Sequence, residues 1–230
     1  MGSKHYTRDF LGGHASTVFD ILIYDNASRF ISLAPKENTI VAWDLEEGVI
    51  LWKKTHDQKA MAATLSAGML VLGTQDGEIR VLRLQDGAEN ARFSAHPHSI
   101  HGMVANGSLL VSTDSHGWVK LWAMHGGAGP SFVRQDGRRL YDQAVTHRIV
   151  VGDWLVCAGK NGGGERNICG LDCRLKILRL HGDPGDIGTI QDIGAPVARI
   201  WGVAQVGTTN LTAVSLMKRG VPMLEIWKNE

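Results

Sequence analysis

The sequence predicts an all-β fold made of tandem four-stranded antiparallel sheets, and three observations support this prediction. A strand-like segment recurs five times, and its marker residue is Trp43, Leu82, Trp122, Leu178 and then Trp227. The markers are therefore 39, 40, 56 and 49 residues apart. The 28 glycines far outnumber the 6 prolines, as expected where many tight turns join short strands. A period near 40 with strand-like units is typical of a β-propeller.

The first unit shows how about 40 residues can form one sheet. Segments 18–24, 30–34, 39–45 and 49–54 are rich in β-branched and aromatic residues, and turn-forming residues separate them. The third segment ends in Trp43-Asp44 and is followed by a turn that contains a glycine. Four such strands would make one propeller blade.

The next two units repeat this order. Their strands are predicted at 61–65, 69–74, 78–84, 90–93, 100–104, 109–112, 118–124 and 131–134. The fourth unit differs because a long segment, 159–172, replaces the short turn before its marker strand, and we interpret this segment as an insert loop.

The fifth unit, 197–230, has no segment for an outer strand, whereas a single strand is predicted before the first unit, at 6–11. We expect 6–11 to pair with 223–228 and so complete the last blade of a single domain, 1–230. Such closure removes free sheet edges. The alternative is that the five units belong to a larger ring that another chain completes.

Composition narrows the class of partner. The net charge is +1, which does not favour nucleic acid, and no apolar run is long enough to cross a membrane as a helix. Only three cysteines occur, Cys157, Cys169 and Cys173, which indicates a reducing compartment, cytoplasmic or nuclear.

Gly13-His14 together with Trp43-Asp44 resembles the WD40 repeat, and the resemblance extends unevenly over most of the chain. It implies a structural network in each blade, formed by a loop histidine, a turn carboxylate and a strand tryptophan. The candidate members are His14, Glu37, Trp43, His56, Asp76, His96, Trp122, Asp172 and Trp227. In the third unit, His116 occupies the turn position of the carboxylate.

The sequence provides little support for an enzymatic function. Segment 42–52 resembles the motif with which quinoprotein-type propellers dock neighbouring blades through a tryptophan, but it occurs once. The spacing of Cys157, Cys169, Cys173 and His181 is not that of a zinc ribbon or finger. Hydrolase, metalloprotease and phosphate-loop motifs are absent. We therefore expect no catalytic residues, no metal and no cofactor.

The resemblance implies a protein-interaction scaffold that binds a peptide or protein through loops on one face of the ring, because rigid sheets position such loops. The candidate contact residues are Lys36, Gln75, His98, His116, Trp118, Lys160 and Arg166. The alternative is a structural subunit of a multiprotein complex that uses the insert as a docking arm. A quinoprotein-like enzyme is a remote alternative.

Overall fold

The chain folds into five antiparallel sheets in a computed structural model. This structure describes residues 12–107, 109–125, 131–151, 154–160, 173–180, 187–197, 199–205, 211–218 and 221–228. All regular elements in these ranges are strands. Among the same residues, no helix is long and apolar enough to cross a membrane.

The strands group into sheets in chain order, with four strands in each of the first four sheets and three in the fifth. Sheet 1 contains β1 (Asp20–Tyr24), β2 (Arg29–Ala34), β3 (Thr39–Asp44) and β4 (Ile50–Thr55). Sheet 2 contains β5 (Ala60–Ser66), β6 (Met69–Thr74), β7 (Glu78–Arg83) and β8 (Glu89–Ser94). Sheet 3 contains β9 (Ile100–Asn106), β10 (Leu109–Asp114), β11 (Trp118–His125) and β12 (Ser131–Arg139). Sheet 4 contains β13 (Val145–Val151), β14 (Trp154–Lys160), β15 (Cys173–Leu180) and β16 (Ile187–Val197). Sheet 5 contains β17 (Arg199–Gln205), β18 (Leu211–Lys218) and β19 (Val221–Lys228).

The predicted repeat matches these sheets closely, with small shifts at the boundaries. β1 begins at Asp20 rather than at residue 18. β14 continues through Lys160, so the predicted insert loses its first two residues to a strand, and 161–172 lies outside the described residues. Segment 6–11 also lies outside them, so its pairing with 223–228 stays a prediction.

The sheets follow one another in space as they do in sequence. The first strands of successive sheets are adjacent, β1 with β5, β5 with β9, β9 with β13 and β13 with β17. A comparable adjacency between β17 and β1 is not seen in the described residues. They therefore show a propeller-like series of sheets, and they do not show a closed ring.

Each sheet has two faces because side chains alternate along a strand. We call the face that carries the marker residue, such as Trp43 or Trp122, the front face, and the opposite face the back face. In sheet 1, the back face carries Ile40 and Ala42, and both are buried against sheet 2. Every described contact between sheets joins the back face of one sheet to the front face of the next.

Four apolar clusters form these contacts. Between sheets 1 and 2 lie Ile31, Leu33, Ile40, Ala42, Leu70, Leu72 and Leu82, with Trp52, Ala60 and Ala63. Between sheets 2 and 3 lie Val71, Ile79, Val81, Met103, Leu110 and Trp122, with Ala62, Ala95 and Ile100. Between sheets 3 and 4 lie Val111, Val119, Leu121, Val145, Leu155 and Cys157, with Leu140 and Tyr141. Between sheets 4 and 5 lie Val156, Ala158, Ile200 and Val214.

Turn glycines join neighbouring sheets. Gly77 has a φ of 87°, and its carbonyl accepts a 3.0 Å hydrogen bond from the amide of Ala95, which precedes sheet 3. A Cβ at Gly77 would collide with the carbonyl oxygen of His96. Gly117, 40 residues later, has the same role towards Tyr141 before sheet 4. Only glycine combines this backbone angle with so close an approach.

Candidate functional site

In sheet 1, a series of hydrogen bonds begins at the indole of Trp43. Its Nε1–H donates to Ser32 Oγ over 2.7 Å, and His14 Nε2 lies 2.7 Å from the same hydroxyl. His14 Nδ1 lies 2.6 Å from Glu37 Oε1, and the amide of Ala15 donates to Glu37 Oε2 over 2.9 Å. The hydrogen bond from the Ala15 amide, together with the one to His14, lowers the pKa of the Glu37 carboxyl. The network fastens the segment before β1 to the front face of sheet 1.

Sheet 3 contains the same arrangement in a buried form. The Trp122 Nε1–H donates to Ser112 Oγ over 2.8 Å, and His96 Nε2 lies 2.7 Å from that hydroxyl. His96 Nδ1 lies 3.4 Å from Asp114 Oδ2, and both side chains are fully buried. The carboxylate therefore comes from Asp114, two residues before the position occupied by His116. In the sequence, His116 was noted at the usual turn position and Asp114 was not identified.

The environment of Asp114 favours the ionised carboxylate. Burial by itself raises its pKa, but the adjacent His96 ring, 3.4 Å away, and the hydrogen bonds from the amides of Trp118 and His116 outweigh this effect. Both amides donate to Asp114 Oδ1 over 2.9 Å. The net result is a lowered pKa, so Asp114 stabilises its turn as an anion.

Sheet 2 has no equivalent network because Leu72 and Leu82 occupy the positions of the serine and the tryptophan. The Asp76 carboxylate instead accepts a hydrogen bond from Thr74 Oγ1 within its own turn. Within the described ranges, His56 Nε2 is buried and has no hydrogen-bond partner. Burial lowers the pKa of His56, so the ring is held in its neutral form.

For two predicted members of the network, the structure does not describe the side chain. Asp172 lies outside the described residues, and for Trp227 only the backbone, in β19, is described. The structure adds three members that were not identified from the sequence, Ser32, Ser112 and Asp114. The two serines are two 40-residue periods apart, which was a usable signal.

Two of the seven predicted contact residues, Lys36 and Gln75, line a hollow at one end of the sheets. We call it the turn-side hollow, and its volume is about 390 Å³. It is lined by Pro35, Lys36, Lys59, Met61, Gln75, Ser99 and His101. Lys36 and Gln75 belong to the turns between the second and third strands of sheets 1 and 2, as predicted for a contact face. Lys59, Met61, Ser99 and His101 were not identified from the sequence.

The carboxylates near the turn-side hollow do not neutralise the positive charge of its lysines, because they bind an arginine instead. Asp57 is two residues from Lys59, but it binds the buried guanidinium of Arg80 through two hydrogen bonds, of 2.5 and 3.3 Å. The bond to Arg80 lowers the pKa of Asp57 to about 2. Glu78 binds the same guanidinium over 3.2 Å. These anions are already paired, so Lys36 and Lys59 dominate the charge of the lining.

Two exposed histidines of the predicted set are in direct contact. The rings of His98 and His116 stack with centroids 3.6 Å apart and planes inclined by 24°. Ser115 Oγ lies 3.0 Å from His116 Nδ1. Trp118 is half-buried at the start of β11. The pair lies on the turns beside sheet 3, adjacent in sequence to Ser99 of the hollow.

For the two remaining predicted contact residues, the structure does not describe the side chain. Lys160 ends β14, where only its backbone is described, and Arg166 lies outside the described residues. Within the described residues, no group of three His, Cys, Asp or Glu side chains is arranged to hold a metal ion. Cys157 is buried, and burial raises the pKa of its thiol to about 12, so this cysteine is unreactive as a nucleophile.

Trp52, from the quinoprotein-like segment, docks two sheets. Its Nε1–H donates over 2.7 Å to the carbonyl oxygen of Leu84 in sheet 2, and its ring lies where a Cβ of Gly87 would fall. This contact between sheets is of the kind that the motif implies.

No family model matches the chain, and no curated protein matches it. Solved structures do match. The computationally designed Ika8 protein is 19% identical, with a TM-score of 0.68 over 94% of this chain and 59% of that chain. The designed Ika4 protein is 16% identical, with a TM-score of 0.58 over 78% of this chain and 98% of that chain. A chain of the Mitotic Checkpoint Complex is 12% identical, with a TM-score of 0.71 over 91% of this chain and 60% of that chain.

These likenesses concern the fold alone, and they support a propeller-like all-β arrangement. The chain spans about three-fifths of the Ika8 protein and of the checkpoint chain. The Ika4 protein, by contrast, is matched over nearly its whole length.

Proposed function

We propose that the protein is a non-catalytic interaction scaffold that binds an acidic peptide segment of another protein at the turn-side hollow. The observation that supports this proposal is the gathering of Lys36, Lys59 and His101 around one concave site, with Gln75 beside them. A volume of about 390 Å³ lies within the range of roughly 300–1,000 Å³ that is common for binding pockets.

The chemistry of the hollow matches a carboxylate side chain flanked by an extended backbone. Lysine ammonium groups attract acidic groups, and the amide of Gln75 can both donate to and accept from a peptide backbone. Met61 offers an adaptable apolar contact. The stacked histidines His98 and His116 add an exposed aromatic surface nearby.

A binding measurement with a fluorescent glutamate-rich peptide tests the proposal. The double variant K36E/K59E is expected to weaken binding at least about tenfold, because it replaces two attractive charges with repulsive ones. The matched control is Lys54→Glu, an exposed charge reversal on β4, and it should leave binding nearly unchanged. Equal binding by the wild type and K36E/K59E, or none by the wild type, would refute the proposal.

Two finer assignments accompany this function. The Trp–Ser–His–carboxylate networks of sheets 1 and 3 support repeats of the WD40 type. The scarcity of cysteine and the buried thiol of Cys157 favour a reducing compartment inside the cell.

A second candidate function is that of a structural subunit in a multiprotein complex. The observation in its favour is the unburied apolar surface on the two outermost sheets, described below. The checkpoint neighbour comes from a multiprotein complex, which is in keeping with both candidates.

A further inference from the structure

The contacts between sheets repeat one arrangement, which leaves two sheet faces without a described partner sheet. Sheets 1 to 4 each bury a back face against the front face of the following sheet. The front face of sheet 1 and the back face of sheet 5 are the two that this arrangement leaves without a described counterpart. The uncovered faces are therefore one front face and one back face.

The front face of sheet 1 is built like a contact face but is open. By strand register, Ile21 pairs with Ser32 as Met103 pairs with Ser112, so Ile21 and Met103 occupy equivalent positions. Met103 is 6% exposed under sheet 2, whereas Ile21 is 56% exposed. Ile23, equivalent to Ala105, is 62% exposed. The same residue position is therefore covered in sheet 3 and uncovered in sheet 1.

This front face encloses an apolar hollow of about 490 Å³. It is lined by His14, Ser16, Val18, Ile21, Ile23, Phe30, Ser32, Trp43 and Leu45. The hollow is bounded by the network of Trp43, Ser32 and His14, so its floor is rigid. Its rim is aliphatic, which favours burial against another apolar surface.

The back face of sheet 5 is open in the opposite sense, because its side chains protrude. Aligned on the marker tryptophans, Leu224 and Ile226 occupy the positions of Ile40 and Ala42 in sheet 1. Leu224 is 68% exposed and Ile226 is 54% exposed, against about 1% for Ile40. By register, Ile226 pairs with Ala213, a small neighbour on the same face. The leucine and isoleucine thus form a ridge.

We propose that a second copy of this chain covers these faces, with the ridge of sheet 5 from one copy seated in the hollow of sheet 1 of the next. The contact continues the back-to-front packing already repeated four times within each chain. The chain itself supplies both halves of the contact, one concave and one protruding, and both are apolar. Such head-to-tail contact is heterologous, and it produces a closed dimer or a longer series according to the angle between copies.

Sedimentation of the purified chain tests this proposal. The wild type is expected to form dimers or larger head-to-tail species at high micromolar concentration. The front variant, I21K/I23K, and the back variant, L224K/I226K, are each expected to weaken association at least about 30-fold, because charges replace apolar contact residues. Circular dichroism verifies that both variants remain folded.

Mixing the two variants gives the decisive result. The front variant keeps an intact ridge and the back variant keeps an intact hollow, so an equal mixture should restore a complex of two chains and no more. The matched control, Val133→Lys, changes an exposed valine of sheet 3 and should associate like the wild type.

Three outcomes would overturn the proposal. A monomeric wild type would mean that the two faces meet within one chain or bind a different polypeptide. Association that neither variant weakens would mean that another surface joins the copies. A mixture that stays monomeric would rule out the head-to-tail arrangement.

Discussion

Sheets 1 and 3 carry matching networks of tryptophan, serine and histidine, and the two networks differ most in the burial of their carboxylate. In both, a tryptophan indole and a histidine ring meet on one serine hydroxyl at 2.7–2.8 Å. The carboxylate of sheet 3, Asp114, is fully buried, whereas Glu37 in sheet 1 remains partly exposed. We infer that local sequence builds the network, and we expect the neighbouring sheet to set how much its carboxylate contributes to stability.

The largest contrast is expected from a lysine at the equivalent front-face positions. Met103→Lys would place a charge between sheets 2 and 3 and should cost about 3–5 kcal/mol or prevent folding. Ile21→Lys changes an exposed residue, so the free energy of unfolding should shift by less than about 0.5 kcal/mol. Urea denaturation of dilute protein measures both. Similar losses in the two variants would show that sheet 1 is covered as sheet 3 is.

Removing the two carboxylates is expected to give the next largest contrast. Asp114→Ala leaves His96 and two turn amides without their buried acceptor, and should cost about 3 kcal/mol. Glu37→Ala should cost clearly less, because water can reach the groups that it leaves. Thermal or urea unfolding distinguishes the two, and an equal loss would contradict the proposed effect of burial.

The shared serines give a smaller but better matched pair. Ser112→Ala and Ser32→Ala each remove one hydroxyl that joins an indole N–H to a histidine nitrogen. Both hydroxyls are buried, so we expect a similar loss in the free energy of unfolding, about 2 kcal/mol, from each variant. A much smaller loss from Ser32→Ala, measured by urea denaturation, would contradict this expectation.

The smallest effect is a dependence of stability on acidic pH. Because the folded pKa of Asp114 lies below its usual value of 3.8, the unfolded chain takes up the proton first as the pH falls. The stability that Asp114 contributes is therefore present above a pH of about 4 and is lost as the pH falls through the folded pKa.

In Asp114→Asn, this part of the acid dependence should be absent, which a series of urea denaturations between about pH 5 and pH 3 can measure. Glu37→Gln, which also removes a carboxyl of lowered pKa, is the matched control in sheet 1. An Asp114→Asn variant with an unchanged slope would show that Asp114 does not carry this dependence.

The repeat and most strands were accessible from the sequence because β-branched runs, turn residues and the 40-residue spacing are local signals. Lys36 and Gln75 were found for the same reason, since their turns recur with the repeat. Lys59 and His101 were missed because they enter the turn-side hollow from the loops of other units, and only packing brings those loops together. Asp114 was missed because the turn of the third unit takes its carboxylate two residues earlier.

By itself, the sequence determined which segments become strands, where they turn, and which side chains alternate on the two faces of each sheet. Only the tertiary structure decided which faces are buried, since burial depends on whether a neighbouring sheet packs against the face. For this reason Met103 lies in a core while Ile21, at the equivalent position, faces an open hollow.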